Sequence, residues 1–417
     1  MVPLLRLKTL SPCAVAIILT IATTCAHAQS PTYTRHAYSP KHRTASRAKR
    51  VARARTCPND AVERPVVARY ARALRVGPVR NRFGRGAFGI ATGGGVQTES
   101  RRQMSSELNA YHEAGASWLR IDINWASIQA NGPSSFAWGA TDRVIRKARR
   151  CGLNVLGVIY YTPSWARPRG TVPNWAPSPG AYGRFASQAA RHYRRRGVST
   201  FEIWNEPNIA DSFAPSASPR AYTAMLRAAD IGIKRANPSA TVVTGGLAPS
   251  PSGGGGVSPV SFLRGIYAQG GEPYFDAVGA HPYCSPAYPG SRKAWSAWYQ
   301  LYGTRTSLRS LMTRHGDGAK KIWATEFGAP TSGPPGTFVS LRTQAAMVTR
   351  AYQLWSSYSW AGPLFTYSGR DTGIDRSSNQ DFYGLLNYNF TAKPAFDAYR
   401  NVSHALAIAA RRIRPVG

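Results

Sequence analysis

Acidic residues and cysteines are scarce in this chain. Its 417 residues include 19 Asp and Glu against 53 Lys and Arg, and only five Cys. This balance excludes a broadly acidic protein, and no spacing of side chains suggests metal ligands, so we predict neither a metal nor a cofactor. Apart from one run near the amino terminus, no apolar stretch approaches the ~20 residues of a membrane-spanning helix. The chain is 43% hydrophobic, which is typical of a globular protein.

The one apolar run has the layout of a secretory signal. Basic residues precede an apolar stretch over residues 14–22, and Ala-His-Ala at 26–28 supplies small residues at both key positions of a cleavage site. The stretch is too short to cross a bilayer. We therefore predict a signal peptide over residues 1–28, a secreted extracellular protein that begins at Gln29, and no transmembrane segment in the mature chain.

Removal of the signal leaves an odd number of cysteines, namely Cys57, Cys151 and Cys284. An exported protein can hold one disulfide among them. Cys284 follows a predicted strand and Cys151 precedes one, which places these two at opposite faces of the fold. Cys57 with Cys151 is then the best of the three pairings, although the sequence does not decide between them.

A basic segment follows the signal. Residues 29–85 hold 15 Lys and Arg but only Asp60 and Glu63, with no apolar period before Pro58. This composition predicts a largely disordered arm, with a short helix over residues 61–74. Nucleic acid is the obvious partner for such charge, but export argues against it. An anionic polysaccharide or cell surface is the better functional interpretation. A coding bias towards arginine would explain the charge equally well.

Residues 86–404 alternate between apolar strands and amphipathic helices, before a basic tail over residues 405–417. This alternation demands parallel strands with helices outside them, and eight such units close into a (β/α)8 TIM barrel. Segments rich in Gly, Ser and Pro at 249–258 and 282–296 predict long loops at one face. The predicted strands cover residues 88–92, 118–125, 153–160, 201–206, 241–244, 275–281, 322–326 and 362–367.

Two of these strands end in glutamate. The run that begins at Phe201 stops at Asn205-Glu206-Pro207, because proline cannot continue a central strand. The run that begins at Ile322 stops similarly at Glu326. Functional residues of this barrel lie at the carboxyl ends of its strands, so the two carboxylates are expected in one site. Glycoside hydrolysis needs such a pair, in which one group donates a proton and the other is ionised.

Other predicted strand ends supply hydrogen-bonding groups and aromatic rings. Sugars present hydroxyl groups at their edges and C–H faces that pack on rings, so these residues predict a carbohydrate substrate. The candidates for substrate binding are Arg120, Asn124, Tyr160, Trp165, Asn205, His281, Tyr283 and Tyr367.

The segment Ile203-Trp204-Asn205-Glu206-Pro207-Asn208, with Glu326 three strands later, carries a family resemblance. It resembles the retaining glycoside hydrolases with (β/α)8 barrels. Among these it is most similar to the β-xylosidases and exopolysaccharide hydrolases of glycoside hydrolase family 39. The resemblance covers residues 86–404. It implies that Glu206 is the catalytic acid/base and Glu326 the catalytic nucleophile.

The same resemblance implies roles for the neighbouring residues. Asn205 would bond the sugar 2-hydroxyl, and Tyr283 would bond the carboxylate of Glu326. Arg120 would help to keep Glu326 ionised, since an adjacent guanidinium lowers a carboxyl pKa. One departure concerns Tyr367, which stands where relatives often have tryptophan.

The leading hypothesis is a secreted retaining glycosidase that cleaves β-linked O-glycosidic bonds in an oligo- or polysaccharide by double displacement. One alternative is a non-catalytic glycan-binding barrel, anchored to anionic surface polymers by the basic arm. Another is an adhesive basic protein whose barrel is incidental. The two intact glutamates favour the enzyme. The sugar, the linkage, exo or endo action and the oligomeric state remain open.

Overall fold

The structure is a computed structural model that describes residues 87–93 and 95–412. The predicted signal peptide (1–28), the whole of the predicted basic arm (29–85) and the end of the predicted tail (413–417) lie outside these residues. Within them, no helix has both the length and the apolar character that crossing a membrane requires.

Eight parallel strands close into a barrel in chain order, with β8 pairing back onto β1. The longest pairing joins β2 to β3, from Trp118 beside Asn154 to Asn124 beside Tyr160, so the strands end together at one edge. This architecture confirms the predicted (β/α)8 TIM barrel. The strands are β1 (Phe88–Ala91), β2 (Trp118–Asn124), β3 (Asn154–Tyr160), β4 (Thr200–Ile203), β5 (Thr241–Thr244), β6 (Ala277–Ala280), β7 (Lys321–Phe327) and β8 (Ala361–Tyr367).

Helices separate the strands along the chain. Two of them, α2 and α7, were not predicted, because one turn is too short to show a helical period. The last helix continues into the segment predicted as a basic tail. The helices are α1 (Arg101–Glu113), α2 (Trp125–Ile128), α3 (Gly139–Arg150), α4 (Pro179–Arg194), α5 (Pro219–Ala236), α6 (Pro259–Ala268), α7 (Ala297–Leu301), α8 (Leu308–Arg314), α9 (Leu341–Trp355) and α10 (Pro394–Arg412).

Serine followed by proline starts three of the helices that follow strands. Ser178, Ser218 and Ser258 each accept a hydrogen bond from the backbone N–H three residues later. Proline then takes the first helical position, where a missing N–H costs little. These local signals fix where α4, α5 and α6 begin.

Tyrosines of the outer helices bind the ends of two strands. The Tyr182 hydroxyl of α4 donates to the carbonyl of Ile159 in β3 at 2.6 Å, and the Tyr222 hydroxyl of α5 donates to that of Ile203 in β4 at 2.9 Å. The Tyr222 oxygen also accepts from the N–H of Gly245 at 2.7 Å. These bonds connect the strand ends that carry the candidate site to the surrounding helices.

The cysteines of the described ranges differ in state. Cys151, directly after α3, is disulfide-bonded. Cys284 is a buried free thiol, and burial raises its pKa to about 12. The pairing proposed with Cys57 involves a residue outside the described ranges, so it stays a prediction.

Candidate active site

Glu206 and Glu326 meet at the carboxyl ends of the strands. Glu206 lies three residues beyond the end of β4, and Glu326 is the second-last residue of β7. Their exposed fractions are 3% and 6%. One carboxylate oxygen of each lies within 4.8 Å of the other and of a ring nitrogen of His281. The structure therefore brings together the two glutamates that the sequence placed 120 positions apart.

The backbone is strained where β3 and β4 end. Tyr161, Trp204 and Glu206 have φ values of 67°, 71° and 48°, in the left-handed region that side chains other than glycine rarely adopt. Each such residue costs roughly 1–3 kcal/mol, and they cluster at functional sites. The Glu206 N–H donates to the carbonyl of Gly246 at 3.1 Å, which helps to hold this conformation.

The pairing of β7 is irregular next to the second glutamate. The pairing of β7 with β8 shifts between Ala324 and Phe327. Such bulges re-aim side chains next to active sites. At this shift, the adjacent residues Thr325 and Glu326 both form hydrogen bonds inside the site, Thr325 with Glu202 and Glu326 with Arg120.

Glu326 is surrounded by donors. Arg120 Nη1 lies 2.6 Å from its Oε1, the Tyr283 hydroxyl donates to its Oε2 at 2.7 Å, and His281 Nδ1 lies 3.6 Å from Oε2. Burial alone would raise the pKa of Glu326. The charges of His281 and Arg120, with the bonds from Tyr283 and Arg120, outweigh burial and lower that pKa below its ordinary value. Glu326 is therefore the carboxylate that stays ionised.

Glu206 has the opposite environment. Burial, assisted by the negative charge of Glu326, raises its pKa, although His281 and Arg120 oppose the shift. Its Oε1 lies 2.9 Å from His281 Nδ1. Its Oε2 is buried and has no hydrogen-bond partner among the described residues. A carboxyl with a raised pKa and one unpaired oxygen is suited to giving a proton to a bound molecule.

Sequence reasoning missed a third buried carboxylate, Glu202. The side chain is fully buried in β4 and pairs with two nitrogens of Arg120, Nε at 2.7 Å and Nη2 at 3.1 Å. It also accepts bonds from the Gly246 N–H at 2.8 Å and the Thr325 hydroxyl at 3.1 Å. The available signal was a glutamate inside an otherwise apolar strand, where a charge needs a buried partner.

Glu202 is connected to both glutamates of the site. Through Arg120 it supports Glu326. Through Thr325, whose hydroxyl oxygen lies 3.1 Å from His281 Nε2, it reaches the histidine that bonds Glu206. His281 is fully buried, which would lower its pKa, but Glu326 and Glu206 raise that pKa instead. One polar network inside the barrel thus sets the charge of both carboxyl groups.

Two other predicted site residues lie near this network, with a tyrosine that was not predicted. Asn205 is half-buried, and its Oδ1 accepts a bond from Arg120 Nη2 at 2.7 Å. Tyr367 packs edge-on against Tyr283, with ring centroids 6.5 Å apart. Tyr383 contacts both rings, at 5.9 and 5.6 Å. It comes from the long segment after β8, where no strand end marked it.

The remaining predicted residues lie on the β2 and β3 side. Tyr160 is buried and stacks on Tyr161, with centroids 3.9 Å apart. Trp165 is 36% exposed, and its indole N–H donates to the carbonyl of Gln129 at 2.6 Å. Asn124 caps α2, accepting a bond from the Ser127 N–H at 2.9 Å. The contacts of Trp165 and Asn124 are thus with the α2 segment rather than with the glutamates.

Glu206, His281 and Glu326 also have the donor types and spacing that could hold a divalent cation. Hydrogen bonds with other side chains also explain why these three residues lie together. Both oxygens of Glu326 accept bonds from Arg120 and Tyr283, and both ring nitrogens of His281 lie within bonding distance of other side chains. The guanidinium supplies the positive charge that these carboxylates need.

Replacing Arg120 with methionine should strongly destabilise the protein. The change leaves Glu202 and Glu326 buried without their cation, and breaking a buried pair on one side costs ~3–5 kcal/mol. Urea unfolding measures the loss. Arg400→Met is the matched control, because Arg400 forms a partly exposed pair with Asp397 and such pairs contribute ~0–1 kcal/mol. Equal losses in both variants would show that the buried network does not support the fold.

The fold and the site together define a (β/α)8 barrel with paired glutamates at the ends of β4 and β7. No protein-family model matches the chain. A stretch of 67 residues, 16% of the chain, is 27% identical to chloroplastic beta-amylase 1 of Arabidopsis thaliana and covers 12% of that protein.

Solved structures resemble the whole barrel. A family 39 glycoside hydrolase from Bacteroides cellulosilyticus WH2 has a TM-score of 0.63 and 22% identity over 77% of this chain and 64% of that chain. A monomeric beta-xylosidase from Caulobacter crescentus CB15 has a TM-score of 0.58 and 17% identity, over 78% and 68%. GH5_18 from Streptomyces cattleya, in complex with GlcNAc, has a TM-score of 0.57 and 15% identity, over 79% and 81%.

The similarity to (β/α)8-barrel glycoside hydrolases that the sequence predicted is confirmed at the level of the fold. The chain spans slightly less than two thirds of the length of the Bacteroides structure. All three identities are below one quarter, so the chemistry has to be argued from the residues of this chain.

Proposed function

We propose that this protein is a retaining glycoside hydrolase that cleaves β-linked O-glycosidic bonds in an oligo- or polysaccharide. The observation that carries the proposal is the pair of buried glutamates, with oxygens within 4.8 Å and pKa values shifted in opposite directions. In retaining enzymes the two carboxyl groups lie ~5–5.5 Å apart, whereas inverting enzymes leave ~6.5–9.5 Å for a water molecule. An approach of one oxygen of each glutamate to within 4.8 Å supports the shorter separation and therefore direct attack by a carboxylate.

The first step forms a bond between Glu326 and the anomeric carbon. As that bond forms, the bond from the anomeric carbon to the leaving oxygen breaks, and Glu206 transfers its proton to that oxygen. The unpaired Oε2 of Glu206 is the atom available for this transfer. Arg120 and Tyr283 hold the attacking carboxylate in place and keep it ionised.

The second step releases the sugar. Glu206, now ionised, takes a proton from water, and the resulting hydroxide attacks the anomeric carbon and displaces Glu326. Both residues return to their starting protonation states. His281 lies within bonding distance of Glu206, so a positive charge on His281 stabilises the ionised form of Glu206 that acts as the base in this step.

The surroundings of the glutamates support a carbohydrate as the substrate. Asn205 is held by Arg120 beside the glutamates, where the resemblance assigns it the sugar 2-hydroxyl. Tyr283, Tyr367 and Tyr383 form a wall of aromatic rings on the side of β6 and β8, and such rings pack on the C–H faces of sugars.

Export and surface binding are separate proposals. They rest on the signal-like residues 1–28 and on the basic charge of residues 29–85, which lie outside the described ranges. A glycan-binding barrel without catalysis is the alternative function. The opposite pKa shifts of Glu206 and Glu326 favour catalysis, because binding alone needs no protonated carboxyl beside an ionised one.

Proton NMR of the first-formed product tests the proposal. We expect hydrolysis of an aryl β-glycoside to release the β-anomer first, because two successive displacements restore the original configuration. Mutarotation to the α-anomer should follow more slowly, which requires that spectra be taken within minutes. An α-anomer as the first product would contradict Glu326 as the nucleophile, and the absence of hydrolysis across a sugar panel would favour the glycan-binding alternative.

A further inference from the structure

Asp122 is a carboxylate of the barrel that the two-step reaction does not use. It lies on β2, two residues after Arg120, and alternate residues of a strand face the same side. Arg120 reaches Glu202 and Glu326 from that side, so Asp122 faces the same interior, one step nearer the carboxyl end of the strand. Its backbone carbonyl accepts a bond from Gln97 Nε2 at 2.8 Å, which ties this part of β2 to the segment after β1.

The Asp122 side chain is half-buried and has no donor among the described residues. The other three carboxylates of the site, Glu202, Glu206 and Glu326, all accept hydrogen bonds from the protein or lie within bonding distance of His281. A carboxylate in this position without a donor has acceptor capacity left for a bound molecule.

Asp122 and the ionisable groups of the site influence one another's pKa values. Burial raises its pKa to about 6, with Glu326 and Glu202 acting in the same direction and Arg120 against them. In turn, Asp122 is among the charges that raise the pKa values of Tyr160 and Tyr367, after burial as the main cause. The strand order agrees with these effects, because β2 is next to β3, which carries Tyr160, and is separated only by β1 from β8, which carries Tyr367.

We propose that Asp122 is a specificity-determining residue that accepts hydrogen bonds from hydroxyl groups of the sugar attacked by Glu326, and that this subsite takes a neutral sugar and rejects a uronic acid. This inference rests on the proposed glycosidase function. Sugar hydroxyls are donors, and hydrogen bonds to an ionised acceptor are stronger than neutral ones. A sugar carboxylate in the same place would have no proton to donate and would meet like charge.

The local balance of charge supports this discrimination. The chain as a whole is strongly basic, yet the interior of the site holds more carboxylates than cations. The acidic residues are Asp122, Glu202, Glu206 and Glu326, and the basic ones are Arg120 and His281. The site is therefore a poor environment for a further anion, whatever the outer surface attracts.

The test compares kcat/KM on nitrophenyl β-glycosides of xylose, glucose, galactose, mannose and glucuronic acid. The wild-type protein should cleave at least one neutral glycoside and should cleave the glucuronide at least ~100-fold less well. Asp122→Asn keeps the shape but removes the charge, so it should lower kcat/KM on the preferred neutral sugar ~10–100-fold. It should also reduce the ratio of kcat/KM on that sugar to kcat/KM on the glucuronide. Asp375→Asn is the matched change at an exposed residue after β8, and it should alter neither kcat/KM on the preferred sugar nor the ratio between the two substrates.

Each outcome decides the inference. A wild-type protein that cleaves the glucuronide as well as neutral sugars would overturn it, even if Asp122→Asn failed to fold. Hydrolysis with the same sugar preference in wild type and a folded Asp122→Asn, as judged by thermal unfolding, would also overturn it and leave the glycosidase proposal intact. A wild-type protein inactive on all five glycosides and on the oligo- and polysaccharides of the same five sugars would instead overturn the proposed function, and the role of Asp122 with it.

Discussion

Replacing Glu326 with alanine should stop hydrolysis of every glycoside that the wild-type protein cleaves. Without this carboxylate no covalent glycosyl intermediate can form, whatever the leaving group. We expect kcat to fall by roughly 10⁴-fold or more, the scale seen when a nucleophile is removed from an enzyme. Arg120 keeps its two bonds to Glu202 in this variant, so the barrel should still fold.

Azide provides the control that identifies Glu326 as the nucleophile. In Glu326→Ala, a small anion can enter the vacated space and attack the anomeric carbon from the same face. Azide should therefore restore turnover of an aryl β-glycoside and give the α-glycosyl azide, which NMR distinguishes from the β form. Residual hydrolysis at more than a few per cent of the wild-type rate, or a β-glycosyl azide, would assign the nucleophile elsewhere.

The positions of these two glutamates could be predicted because they depend on topology alone. Parallel strands all end at one edge of a barrel, and Pro207 marks where β4 has to stop. Any residue at such an end belongs to the same region in space. The sequence therefore placed Glu206 and Glu326 in one site without any knowledge of side-chain geometry.

The buried network could not be predicted in the same way. Whether Glu202 faces into the barrel or towards the helices depends on the strand register, and a shift of one residue would reverse it. Thr325 joins the network beside an irregularity in β7 that no local sequence signal announces. Tyr383 arrives from a long segment whose path depends on tertiary contacts. These residues explain why the pKa values of Glu206 and Glu326 shift in opposite directions.

Those opposite shifts predict a bell-shaped dependence of kcat/KM on pH. Activity requires Glu326 ionised and Glu206 protonated. The raised pKa of Glu206 places the alkaline limb above the ordinary range of a glutamate, and the lowered pKa of Glu326 places the final acidic loss of activity below that range. Protonation of Asp122, whose pKa is about 6, should add an earlier and partial decrease of kcat/KM on the acidic side. Activity should therefore be lost as the pH rises through the pKa of Glu206, and Glu206→Ala should remove this alkaline limb while the acidic limb remains.

Glu206→Ala should also make activity depend on the leaving group. A glycoside that needs protonation of its leaving oxygen should lose ~10²–10⁴-fold in kcat/KM, the usual contribution of general acid catalysis. A dinitrophenyl glycoside releases a stable phenolate without a proton, so its first step should be nearly unchanged and glycosyl enzyme should accumulate. Rapid-quench kinetics would show this as a burst of dinitrophenolate.

The product of azide rescue separates the roles of the two glutamates. In Glu206→Ala the nucleophile Glu326 is still present, so azide replaces water in the second displacement and should give the β-glycosyl azide. This is the opposite configuration to that expected from Glu326→Ala with the same reagents. Equal losses on dinitrophenyl and alkyl glycosides, or α-azides from both variants, would contradict Glu206 as the acid/base. Opposite azides from the two variants would follow only if Glu326 attacks the sugar and Glu206 handles the proton.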